Sequence, residues 1–147
     1  MMLTGVLTLR CPCPPRVLSS CRFGDFLDGD DEFRHDRFKL VPSIFKGNWI
    51  VKQAVGNTPS IMGRKLRQPY YRGDHYFELD LDVTSTSVGS AILKLVSGYT
   101  KQLSVDLAFV LEGKRKEELP EKLIGCVRIS NIDLSRAERI EDIGVAK

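Results

Sequence analysis

Residues 75 to 83, HYFELDLDV, alternate without a break: His75, Phe77, Leu79, Leu81 and Val83 fall on one side of an extended chain, and Tyr76, Glu78, Asp80 and Asp82 on the other. A period of two with an acid at almost every second place fits a strand buried on one face and wet on the other. It does not fit a helix, whose apolar positions recur every three or four residues. The same period returns in LSVDLAFVLEG (103–113), with Leu103, Val105, Leu107, Phe109 and Leu111 on one face. Ala108 and Val110 share the opposite face with Asp106, so this strand is expected to be covered on both sides. Between the two strands, TSTS supplies hydroxyl caps, and Val88, Ala91, Ile92, Leu95, Val96 and Tyr99 follow helical spacing.

The remaining elements are shorter. RFKLVPSIF (37–45) reads as a strand in which Pro42 argues for an edge or a bend. KGN is a turn, and WIVKQAV (49–55) suits either a short helix or a strand. Thr58 and Pro59 are expected to open a helical turn through Met62, as cap and first helical residue. KRKEELPEKLIG (114–125) is expected to form a short helix closed by Gly125, and CVRISNIDL a last strand with Val127 and Ile129 inward. The expected fold class is α+β: a mainly antiparallel sheet with one long amphipathic helix and short helices.

A chain of 147 residues, 42% hydrophobic and 28% charged, has the make-up of one ordinary globular domain. No apolar run approaches the ~20 residues that a membrane-crossing helix needs. Cys11, Cys13, Cys21 and Cys126 do not make a secreted disulfide framework, and their spacing holds no paired C-x-x-C for zinc. These features point to a reducing, cytoplasmic setting, with any membrane contact peripheral. Residues 1–22 read as a disordered or unrelated extension, with organelle targeting as the alternative use of a stretch with arginine, serine and no acid. The domain is placed at residues 23–147.

Catalytic chemistry finds little support. His35 and His75 are not set beside a nucleophile, and Cys126 reads as core filling. GNTPSIMGRK (56–65) has the wrong glycine spacing for a phosphate loop, and Leu66 follows Lys65 where a magnesium-holding hydroxyl belongs. Asp25, Asp28, Asp30, Asp31 and Glu32 miss the alternating ligand pattern of a calcium loop, so DFLDGDDEFRHD reads as a solvated acidic loop. No cofactor, metal or catalytic residue is assigned.

The charges are nevertheless segregated in blocks. Residues 25–36 hold six acids, whereas residues 38–73 hold seven Lys or Arg and no acid. Lys39, Lys46, Lys52, Arg64, Lys65, Arg67 and Arg72 are interleaved with Trp49, Tyr70 and Tyr71. Cations and interfacial aromatics suit an anionic membrane surface, where each cation contributes about 1 kcal/mol. The densest part, GRKLRQPYYRG, makes Arg64, Lys65, Arg67, Arg72, Tyr70 and Tyr71 the candidate lipid-headgroup residues. Two other uses compete: pairing with Glu78, Asp80, Asp82 and the acids of 25–36, and nucleic-acid binding, which the adjoining acidic strand disfavours.

GDDEFRHDRFKLVPSIFKGNWIVKQAVGNTPSIMGRKL, YYRGDHYFELDLDV and SVGSAILKLVSGYTKQLSVDLAFVLEGKRKEELPEKLIGCVRISNIDL, taken in order, resemble the plant enhanced disease resistance 2 C-terminal domain over roughly residues 23–140. In that family the domain often follows pleckstrin-homology and START lipid-binding domains, and it also occurs alone. The resemblance implies a setting in lipid binding and membrane-linked plant defence or cell-death control. Together with the residues it leads to the expectation of a non-enzymatic module acting through anionic lipid or a lipid-binding protein partner, with an interaction or regulatory domain lacking its own ligand as the alternative. It carries over no functional residue. The family domain begins earlier than this chain, so missing strands are expected to leave an open sheet edge and a bare apolar face.

Overall fold

The computed structural model describes residues 6–12 and 22–136. Two antiparallel sheets and a few short helices build it, which bears out the α+β class. In the first sheet, β5 (Tyr76–Asp82) lies between β1 (Val6–Pro12) and β4 (Tyr70–Arg72). The second runs in the order β3 (Ser60–Ile61), β2 (Phe38–Lys46), β6 (Ser104–Leu111), β7 (Leu123–Ser130). The alternation of β5 does what the sequence dictates, burying Phe77, Leu79 and Leu81 and turning Glu78 and Asp80 to the far face. His75 and Val83 fall outside the strand: His75 is exposed, and Val83 begins a single 3-10 turn.

The two sheets and α1 (Arg22–Asp28) share one core, in which Phe26 and Leu27 meet Phe38, Met62, Phe77, Leu79 and Phe109. Phe26 sits at its centre, with ring centroids 6.1 Å from Phe77, 6.2 Å from Phe38 and 6.4 Å from Tyr70. Aromatic pairs at these separations add ~0.5–1.5 kcal/mol each beyond their burial. Arg34, on α2 (Asp31–His35), donates to the carbonyls of Phe26 and Leu27 at 3.0 and 2.7 Å. It thereby satisfies acceptors that the end of α1 leaves open.

Several local expectations change. Residues 25–36 are not an acidic loop: they supply α1 and α2, and Asp30 caps α2 by accepting from the Phe33 N–H at 2.8 Å. The helical turn expected after Thr58 is β3, because the Met62 N–H donates to the Phe38 carbonyl and draws the segment onto β2. The helix expected over 114–125 reduces to a 3-10 turn at Lys116–Glu118. There the Glu118 carboxylate accepts from the Lys114 and Arg115 N–H groups, tightening the turn, while Leu123–Gly125 join β7 opposite β6. WIVKQAV resolves as a helix, α3 (Trp49–Val55), capped by Asn48, whose side chain accepts from the Ile50 N–H.

Pro42 does lie on a strand paired on one side only at that point, since β3 reaches only Lys39 and Leu40. That is where a residue without an N–H is tolerated. Helix α4 (Ser87–Ser97) forms as expected, with Thr86 accepting from the Gly89 N–H. Its apolar face is only half covered, and Val88 and Ala91 are exposed. Residues Val6–Pro12 fall inside the stretch expected to be an extension, yet they pair with β5 along its whole length, from Val6 opposite Asp82 to Pro12 opposite Tyr76. In the sequence, apolar residues alternate with Thr8 and Arg10 through this stretch, a period that the prolines around it obscure. The expectations for residues 1–5, 13–21 and 137–147 lie outside the described residues.

Candidate functional site

The six expected headgroup residues do not share one role. Tyr70 points into the core against Phe26 and Phe77, and its hydroxyl accepts from Gln68 Nε2 at 2.6 Å. Burial pushes that hydroxyl well above its ordinary pKa, and the Gln68 hydrogen bond only partly offsets the effect. Tyr71, one residue on, is half exposed. Arg64 donates to Asp36 at 2.7 Å, Arg72 to Asp28 at 3.0 Å, and Arg67 lies 3.5 Å from Asp82. Lys65 donates to the Ser60 hydroxyl at 2.8 Å. Each guanidinium of the dense segment therefore faces a carboxylate from the acidic run or the acidic strand. The hydrogen bonds from Arg64 and Lys114 hold the Asp36 carboxyl far below the usual carboxylate range.

Besides Lys65, the cations of the stretch without a carboxylate among the described residues lie at its other end. Lys46 ends β2 and Lys52 lies on α3, and neither meets a carboxylate among the described residues. Val51, with no exposed surface, anchors α3 to the body of the domain. With Val51 inward, Trp49 is turned out and stands 72% exposed, with Ile50 beside it and Phe45 63% exposed on β2. Arg128 covers one side of the Phe45 ring at 4.1 Å while pairing with Asp106. A shallow depression joins Lys46 to Tyr99 and Lys101. It is open to solvent, with a volume of about 460 Å³.

A second feature is an apolar cleft of about 480 Å³ between the sheets, floored by Phe26, Phe38, Phe77 and Phe109. One wall is Thr8–Arg10 of β1 and the other is Ile124–Val127 of β7. Cys126 is exposed on β7 and is not core filling. His35 packs on Tyr70 at 5.5 Å with its Nε2 3.2 Å from the Gln68 carbonyl oxygen. Among the described residues no cluster of His, Cys, Asp or Glu could hold a metal ion, and no helix is long and apolar enough to cross a membrane.

Two antiparallel sheets around an aromatic core, open along one side and flanked by a cationic aromatic corner, define an α+β domain. The chain belongs to the family described as Protein ENHANCED DISEASE RESISTANCE 2, C-terminal, which matches residues 7–133. It is 48% identical over 115 residues to an Arabidopsis thaliana protein named Protein ENHANCED DISEASE RESISTANCE 2-like, a match covering 78% of this chain and 16% of that relative. The chain thus spans a small part of the length of the curated relative it matches. The family match opens inside β1, so the first strand lies within the family region and not before it. No solved structure matches the chain.

Proposed function

We propose that the chain is a non-enzymatic module of plant defence that works at a membrane, where the corner formed by Phe45, Lys46, Trp49, Ile50 and Lys52 rests on anionic lipid. The observation that carries this reading is Trp49, held outward on an anchored helix beside two cations that have no carboxylate partner among the described residues. Indole rings favour the headgroup level, and each lysine near an anionic leaflet contributes about 1 kcal/mol. Arg64, Lys65, Arg67, Arg72 and Tyr71 are a second contact region, reached when lipid phosphates compete with exposed ion pairs worth only ~0.2–1 kcal/mol each.

Vesicle sedimentation tests the assignment. Vesicles containing phosphatidylserine should bind the chain and neutral vesicles should not. Lys46→Glu with Lys52→Glu and Trp49→Ala should abolish binding. Changing Arg64, Lys65, Arg67 and Arg72 together to Glu should only weaken it. If the first set binds unchanged while its amide spectrum stays dispersed, the Trp49 corner is the wrong surface. If only the second set loses binding, the headgroup site is the Arg64–Arg72 segment.

A further inference from the structure

Residues 56–59 join α3 to β3 and belong to neither. Gly56 ends the helix with φ at +66°, which glycine adopts freely, and a Cβ there would meet nothing within 4 Å, so the connection stands clear of its neighbours at that point. Thr58 and Pro59 are both exposed. Among the described residues, the exposed serine and threonine hydroxyls without a hydrogen bond belong to Ser43, Thr58 and Ser87, and of these only Thr58 lies outside helix and strand. Of the seven prolines in the chain, Pro59 alone follows a serine or threonine. Proline holds the residue before it to extended backbone and has no N–H to leave unpaired. Protein kinases take their acceptor as an extended, accessible segment, and one class of them selects proline directly after the hydroxyl.

We infer that Thr58 is a phosphoacceptor for a proline-directed protein kinase, and that the phosphate it receives takes up Lys52 and Lys65. The Thr58 Oγ1 attacks the γ-phosphorus of ATP: the Oγ1–P bond forms, the bond to the ADP oxygen breaks, and the hydroxyl proton passes to the kinase's catalytic carboxylate. The product carries about −1.5 to −2 charges at pH 7. Around it lie two of the three cations of residues 38–73 that meet no carboxylate among the described residues. Lys52 shares a shallow depression with Trp49, Gly56 and Asn57, the last directly before Thr58. Lys65 donates to the hydroxyl of Ser60, which in turn reaches back to the Thr58 carbonyl at 3.4 Å. The consequence for membranes rests on the reading of the Trp49 corner given above: a phosphate that occupies Lys52 takes a cation from lipid and sets a like charge against an anionic leaflet, so phosphorylation releases the domain.

The full chain with ATP and a purified mitogen-activated or cyclin-dependent kinase tests it. Mass spectrometry should place one phosphate on Thr58; Thr58→Ala should abolish it, Thr58→Ser should keep it, and Pro59→Ala should slow it about tenfold or more. In phosphorus NMR the second ionisation of the phosphate should fall below that of the same phosphothreonine in the free peptide GNTPSIM, and Lys52→Gln with Lys65→Gln should bring it back up, because neighbouring cations favour the dianion. Vesicles containing phosphatidylserine should bind the phosphorylated chain about tenfold more weakly than the unmodified one. The acceptor assignment is overturned if both kinases leave Thr58 unmodified or modify Pro59→Ala equally fast. The pairing is overturned if the phosphate titrates as it does in the peptide, and the release if both forms bind vesicles alike. Failure of the unmodified chain to bind vesicles refutes the Trp49 corner instead, and the first two measurements, which contain no lipid, still decide the acceptor and its pairing.

Discussion

Glu118→Gln is the sharpest probe of how the 112–121 loop is fastened to the sheet. Glu118 accepts from Arg37 at 2.7 Å and from the N–H groups of Lys114 and Arg115. Arg37 is buried, stacks on Phe33 at 4.5 Å, and leads directly into β2. The Arg37 hydrogen bond, against an opposing burial cost and with help from the two N–H donors, lowers the Glu118 carboxyl from 4.5 to about 2. A shift of that size corresponds to at most ~3.5 kcal/mol at about 1.4 kcal/mol per unit, and solvent at the pair reduces it to about 1–2 kcal/mol. The folded pKa is depressed, so this stability is fully present above the unfolded value near 4.5 and is lost as pH falls toward about 2. Glutamine keeps the shape and removes the charge. Urea unfolding of wild type and variant should differ by about 1–2 kcal/mol at pH 7, with the difference shrinking from pH 5 downward. The comparison cancels the other carboxylates. A difference that stays constant from pH 7 to pH 2.5, or that is absent at pH 7, would refute the argument.

Gly89→Ala should destabilise the fold by more than about 1 kcal/mol, seen as a fall of several degrees in Tm, because a Cβ there would stand 2.1 Å from the Val83 carbonyl oxygen. Asn48→Ala removes the cap of α3 and should cost about 0.5–2 kcal/mol in a chemical denaturation curve. Since α3 presents Trp49, the same variant should weaken binding to phosphatidylserine vesicles.

How much of this was legible depended on how each signal is written. The strands of the two long alternating segments could be read because a period of two admits one geometry, and the helix between them because its cap and spacing agree. The helices of residues 25–36 were masked by charge: Phe26 and Leu27 are the buried pair that organises the core, but six acids around them spell solvent. Leu123–Gly125 looked like a helix end because a glycine after apolar residues commonly is one. Pairing with β6 decides otherwise, and no local signal reports it. The cleft has no signal in the sequence: its walls come from β1 and β7, far apart in the chain, and the strand character of β1 is obscured by the prolines that follow it.

The block arrangement of charge has a consequence for where the domain can meet an anion. Acids of residues 25–36 and of β5 are brought by the fold against bases of residues 64–72: Asp36 to Arg64, Asp28 to Arg72, Asp82 to Arg67. Lys39 is likewise taken up by Glu112 and Glu121, whose hydrogen bonds raise its pKa against the opposing effect of burial. Segregation along the chain thus becomes pairing in space. Of the seven cations between residues 38 and 73, only Lys46, Lys52 and Lys65 escape a carboxylate among the described residues, and Lys65 is held by Ser60. The densest cationic segment in the sequence is therefore not the freest cationic surface in the fold. A weaker run, Phe45 to Lys52, holds Lys46 and Lys52 without a carboxylate partner among the described residues, and α3 sets the indole of Trp49 beside it.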